Sequence, residues 1–142
     1  MSLVTSSDCW KKYGNPFKEK YMTLWVVPNY LHIGPIPKKI YCNKDMIIPL
    51  TNAFENILRE GISNQVKTWD GCFNIRTKRG SKSMSLHAWG IAIDINAAWN
   101  RFGKKPTMSK ELVDCFASAG FSWGGNFSKK YWDGMHFQLE KI

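Results

Sequence analysis

No stretch of this chain is apolar for long enough to cross a bilayer, so membrane insertion is not expected. Internal repeats and low-complexity segments are also missing, which excludes solenoids and linker-rich architectures. The four cysteines (Cys9, Cys42, Cys72, Cys115) lie far apart with no C-x-x-C pair, which argues against a zinc ribbon or a redox dithiol. In a reducing compartment they are expected as free thiols. The start, MSLVTSSDCWKKYGNPFKEK, has no apolar run of signal-peptide length, so synthesis in a cytoplasm without a signal peptide is the expectation. H-E-x-x-H, G-x-S-x-G and Walker motifs are absent.

Acidic residues are scarce. Eleven Asp and Glu face twenty Lys and Arg, a formal charge of +9, and this favours a polyanionic partner such as nucleic acid, acidic lipid or a bacterial wall polymer. The basic residues are spread over KEK, PKK, RTKRG, GKK and SKK rather than massed in a tail, a pattern that also serves as a solubilising surface. Charge alone does not choose among these.

What is present suffices for one globular domain spanning 1–142, because 44% of the 142 residues are hydrophobic and 14% aromatic. Leu50, Ala53, Phe54, Ile57 and Leu58 recur at helical spacing, predicting an amphipathic helix over 45–60 with Asp45 as N-cap, Pro49 in the first turn and Gly61 as stop. Leu112, Cys115, Phe116 and Ala119 predict a second helix from an N-cap at Ser109 to Gly120. QVKTWDGCFNIR reads as two short strands around an Asp70-Gly71 turn. Residues 1–40, punctuated by Pro28, Pro35 and Pro37, read as an extended arm packed on the domain.

In GIAIDIN, Ile91, Ile93 and Ile95 alternate with Ala92, Asp94 and Asn96, the period of a half-buried strand. MHFQLE repeats the pattern, with Met135, Phe137 and Leu139 on one face and His136, Gln138 and Glu140 on the other. If both strands share a sheet, Asp94 and His136 project from the same side. His87 precedes the first strand in HAWG, where Gly90 allows a sharp turn, so two imidazoles and a carboxylate can converge. That is a complete ligand set for one catalytic zinc, with the fourth position left to water. Asp133, three residues before His136, is the candidate base, and Arg76, at the end of the CFNIR strand, is preferred over Arg79 as the cation facing an oxyanion.

These residues resemble the zinc D-alanyl-D-alanine carboxypeptidases and L-alanyl-D-glutamate endopeptidases of bacterial wall metabolism, which include phage endolysins. Ser85, His87, Gly90, Ala92 and Asp94 match the signature S-x-H-x-x-G-x-A-x-D, and Asp133, His136 and Phe137 match its second half. The resemblance runs from about Gly71 to Gln138. It implies that His87, Asp94 and His136 hold the zinc, that Asp133 is the catalytic base that later protonates the leaving amine, and that Arg76 stabilises the transition state. Asp rather than Glu before the last histidine looks more like the endopeptidase and endolysin branch. Ser85 is expected to orient substrate or a ligand, and Trp132 to touch substrate. Trp89, Trp123 and Tyr131 read more simply as core, and His32 as structural.

The expected fold is therefore α+β, a small, mostly antiparallel sheet with helices on one face and the zinc cleft on the other. The expected activity is hydrolysis of a stem-peptide bond of peptidoglycan, L-alanyl-D-glutamate ahead of terminal D-alanyl-D-alanine. A monomer is expected, drawn to anionic wall polymers, acting on the wall after release from the host cytoplasm through a holin. Two other classes make different predictions. A non-catalytic module, as a related fold serves in the Hedgehog signalling domain, would bind zinc without hydrolysing any stem peptide. A basic nucleic-acid binder would need no metal and bind DNA after chelation; nucleic acid is not the expected partner. A Cys-His hydrolase built on Cys72 would leave Asp94 unexplained.

Overall fold

The computed structural model describes residues 2–142. It is an α+β protein whose described residues form three α-helices and two antiparallel sheets. Helix α1 (Ser6–Tyr13) is followed by strands β1 (Met22–Val26) and β2 (Lys39–Asn43), which pair with each other alone. Helix α2 (Ile47–Arg59) leads to β3 (Trp69–Gly71) and β4 (Ala92–Ile95), then α3 (Lys110–Ala117), β5 (Phe121–Trp123) and β6 (His136–Leu139). The second sheet has the order β3-β4-β6-β5, so the two strands with alternating polar residues are its centre.

The sheet turns one face to the helices. Phe137 of β6 stacks on Phe116 of α3 with ring centroids 4.3 Å apart, and Ile91, Ile93 and Ile95 are fully buried. Because neighbouring side chains on a strand point to opposite faces, the same packing turns Asp94 and His136 away from the helices. Asp94 and His136 are direct cross-strand partners. Leu50, Phe54 and Ile57 of α2 and Leu112 of α3 complete a core that is continuous with Leu31, Ile36 and Ile40 from the first forty residues.

Three local expectations change. The first forty residues are not extended chain: α1 is closed by a capping box in which Thr5 and Asp8 exchange backbone-to-side-chain hydrogen bonds at 2.8 and 3.1 Å. Asp45 does not cap α2, because a 3₁₀ turn (Lys44–Met46) runs into the helix and is capped by Asn43, whose Oδ1 accepts the Asp45 N–H at 2.9 Å. Asp45 accepts from the Tyr13 hydroxyl at 2.6 Å instead. Finally, Asp70-Gly71 is no hairpin turn. Gly71, at φ 127°, ends β3 opposite Asp94, and residues 72–76 leave the sheet, so Arg76 sits on a loop rather than a strand.

Candidate metal centre

Three separate elements deliver the polar side chains. Asp94 comes from β4 and His136 from β6, their Cα positions in register. His87 comes from a 3₁₀ turn, Leu86–Trp89, whose cap Ser85 accepts the His87 N–H on its Oγ at 3.3 Å. Gly90 closes that turn at φ 66°, and a Cβ there would lie 2.6 Å from Met22 Cε and 2.8 Å from the Asn43 backbone nitrogen. Glycine is thus required twice over, by the dihedral and by the β1–β2 sheet pressed against it. Asn43 locks the contact, donating its N–H to the Gly90 carbonyl at 3.1 Å and its Nδ2 to the Trp89 carbonyl at 3.0 Å.

His87 Nε2 lies 3.1 Å from Asp94 Oδ2, and His136 Nδ1 lies 3.5 Å from Asp94 Oδ1. One ligand atom from each of the three residues lies within 4.8 Å of the others, close enough for a single ion to bind all three. The donor set fits a metal by a second test. His87 Nε2 and Asp94 Oδ1 are buried polar atoms with no hydrogen-bond partner, in an interior where such groups are ordinarily satisfied. Behind the cluster, His87 Nδ1 meets the Cys72 carbonyl at 2.6 Å and His136 Nε2 meets Gln138 Oε1 at 2.9 Å. Each ring is held from the rear, as outer-shell partners hold ligating histidines.

Burial by itself would raise the Asp94 pKa, yet the close approach of His136 and His87 holds the carboxyl well below the usual range. Burial likewise works against a charged His136, and Asp94, Asp133 and Gln138 overcome it, raising its pKa above the ordinary value. Asp133 Oδ2 stands 3.9 Å from His136 Nδ1. Its pKa is raised by burial first, with Asp94 adding repulsion against the attraction of His136, His87 and Arg76. The bare cluster is therefore an anionic carboxylate between two imidazoles, flanked by a second carboxyl that holds its proton more readily.

The cluster lies in a cleft of about 610 Å³. Ser85, Asp133 and Arg76 line it, as do Phe102 and Phe127, which sequence reasoning did not assign to the site, and Tyr131, expected in the core but exposed here on the cleft wall. Trp132 is half-buried and not among the lining residues; its carbonyl accepts the Gly103 N–H at 2.6 Å. Lys78 and Arg79 join Arg76 on the cleft wall, and the Arg79 guanidinium sits 5.4 Å over the Phe102 ring. Leu3, Val4 and Thr5 also line the cleft, although nothing in their residue types signals a site. Gln138, buried beside His136, was foreshadowed only by sharing its face in the two-residue alternation. His32 is exposed and lies outside the cleft lining.

Residues 79–139 match a protein-family model described as D-alanyl-D-alanine carboxypeptidase. No curated protein and no solved structure gives a significant match. The matched segment contains His87, Asp94, Asp133 and His136 and stops short of Arg76. The match points to a metallopeptidase acting on peptidoglycan, and the three clustered residues inside it could hold the ion such a peptidase needs.

Proposed function

We propose that the protein is a zinc-dependent peptidase that hydrolyses the L-alanyl-D-glutamate bond of the peptidoglycan stem peptide, as in the endolysin-type peptidases that it resembles. The observation that carries the reading is the pair of buried atoms left without partners, His87 Nε2 and Asp94 Oδ1, at the place where His136 Nδ1 converges. Leaving such groups unsatisfied costs about 1–3 kcal/mol each, a cost that one ion held by His87, Asp94 and His136 offsets. Bound there, zinc supplies a Lewis acid that polarises the scissile carbonyl.

The remaining work falls to the chain itself. Asp133 takes a proton from the attacking water and returns it to the leaving amine; its raised pKa suits a group that must both accept and donate. Arg76, on the cleft wall, places a guanidinium toward the oxyanion that develops on the carbonyl oxygen. Ser85 holds the His87 backbone and faces the cleft, where it also contacts substrate; Trp132, next to Asp133 in the chain but outside the cleft lining, would touch only a part of the substrate that extends beyond the cleft. The enzyme acts as a monomer, and its positive charge concentrates it on anionic wall polymers.

The description of the matched family model favours a second reading, removal of terminal D-alanine. One N-acetylated soluble stem pentapeptide carrying both bonds separates the two. The endopeptidase yields N-acetyl-alanine and a fragment with a D-glutamyl amino terminus, in a reaction that a chelator abolishes. Release of free D-alanine would install the carboxypeptidase, and an intact peptide after incubation with zinc-loaded protein would remove both.

A further inference from the structure

We infer that Gln138 is a positioning residue which links the backbone of Val4 to His136 and sets which ring nitrogen that histidine offers to the metal. The inference rests on the metal reading above. Its starting point is that a backbone carbonyl can only accept hydrogen bonds, whereas an imidazole nitrogen can do either.

At His87 the assignment is direct. The Cys72 carbonyl, 2.6 Å from Nδ1, requires the proton on Nδ1 and leaves the Nε2 lone pair facing Asp94. His136 is turned the other way, with Nδ1 toward Asp94 at 3.5 Å and Nε2 toward the Gln138 side chain at 2.9 Å. A side-chain amide has a donor end and an acceptor end, so Gln138 alone decides nothing. The Val4 carbonyl decides it. That oxygen lies 3.4 Å from the other end of the same amide and can only accept, so Gln138 must present its NH₂ to Val4 and its Oε1 to His136. His136 Nε2 must then donate, and the free lone pair falls on Nδ1, the nitrogen that faces the site.

The relay is shielded, since Gln138 is 4% exposed and Val4 9%. It is also anchored. Val4 immediately precedes the Thr5–Asp8 capping box that starts α1. In the middle of α1 the Trp10 ring meets Trp89 edge-on at 5.6 Å, and at its far end the Gly14 carbonyl accepts from Trp89 Nε1 at 2.8 Å. Residues 4–14 therefore grip both histidine-bearing elements, β6 through Gln138 and the His87 turn through Trp89. They lie outside the segment that matches the family model, so this support belongs to the chain rather than to the shared motif.

Long-range ¹H–¹⁵N spectra of the zinc-loaded wild-type protein, in which a cation stands between Asp94 and the two rings, identify the nitrogen that each imidazole keeps protonated. The relay predicts Nδ1–H at His87 and Nε2–H at His136; Nδ1–H at His136 would overturn it. Zinc affinity, measured by competition with a chromophoric chelator, supplies the second readout. Gln138→Met keeps the volume and removes both hydrogen bonds, and is expected to weaken zinc binding about 10–100-fold. Gln138→Glu keeps an acceptor for His136 and loses the donor to Val4, so it is expected to bind zinc at least as tightly as wild type while residues 2–5 exchange their amide hydrogens faster. Equal weakening in both variants would reduce Gln138 to a packing role and sink the proposal, as would wild-type affinity in Gln138→Met. Failure of the wild type to bind zinc would instead remove the reading of the site itself and the relay with it, an outcome distinct from zinc binding that Gln138→Met leaves unchanged.

Discussion

An imidazole nitrogen and a carboxylate oxygen, both buried and both unpartnered, make His87 and Asp94 a poor pair and a good two-thirds of a metal site. The charge on Asp94 is what a cation would use, so Asp94→Asn, which keeps the shape, is expected to lower zinc affinity in a chelator competition by more than the about 10–100-fold that loss of an outer-shell partner costs. Asp133→Asn should do something different. It leaves the three ligands in place, so zinc affinity stays within a few-fold of wild type while kcat on a stem peptide falls on the order of 10²–10⁴-fold. If both activity and metal were lost together, Asp133 would be a ligand rather than the base. The four cysteine thiols are free and buried. Burial pushes the Cys9 and Cys42 thiols up to about 12, and Cys72 and Cys115 are raised as well. A thiol whose folded pKa is raised stays protonated where its unfolded counterpart, near 8.5, already ionises. At pH 8 the thiolate fraction of Cys9 and Cys42 is therefore on the order of 10³ smaller in the folded protein. Iodoacetamide labelling followed by mass spectrometry should be correspondingly slow until urea is added, and rapid labelling of the native protein would contradict this account of their burial.

Elements with a strong period were legible, and those defined by contacts were not. Alternation of Ile91, Ile93 and Ile95 with Asp94 identified β4, the same alternation identified β6, and pairing of the two put Asp94 opposite His136. Helical spacing located α2 and α3, and Ser109 does cap α3. The Asp70-Gly71 dipeptide misled because its local turn preference was overridden: Asp70 Oδ2 accepts the Ala97 N–H at 2.9 Å, and Gly71 serves the edge of the sheet. Arg76 consequently reached the cleft from a loop, for a reason that strand logic did not supply. Gly90 was correctly placed as the turn into β4, but the sequence could not reveal the backbone of Asn43 packed against it. Gly90→Ala would force a side chain into a left-handed residue and against that backbone, so it is expected to destabilise the fold by about 2 kcal/mol or more. Urea denaturation measures this directly, and a loss under half a kilocalorie would mean that the turn yields easily.

At the scale of the whole molecule, composition alone indicated a core large enough for the chain but not how its first forty residues join it. Prolines there suggested extended chain, whereas β1 and β2 pair with each other and bury Trp25 against Phe54 of α2 at 6.1 Å between ring centroids. The signal was weak because each strand has only five residues and one of them, β1, shows exposed Leu24 and Val26 on its outer face. The charge of +9 is also a property of the whole surface. If it concentrates the enzyme on anionic wall polymers, added salt should weaken lysis of wall preparations steeply, because screening shortens to about 8 Å at physiological ionic strength. Cleavage of a small soluble stem peptide should hardly change over the same range, and equal salt dependence for both would dismiss the steering role.

All three scales meet in one claim, that the cleft floor hydrolyses the stem peptide with a metal held by His87, Asp94 and His136 and with Asp133 as base. Digestion of purified peptidoglycan by zinc-loaded wild type and by Asp133→Ala, with mass spectrometry of the soluble fragments and a chelator control, tests it most directly. The account predicts new D-glutamyl amino termini from the wild type alone, lost on chelation. Intact peptidoglycan after treatment with the zinc-loaded wild type, or equal cleavage by Asp133→Ala, would contradict it.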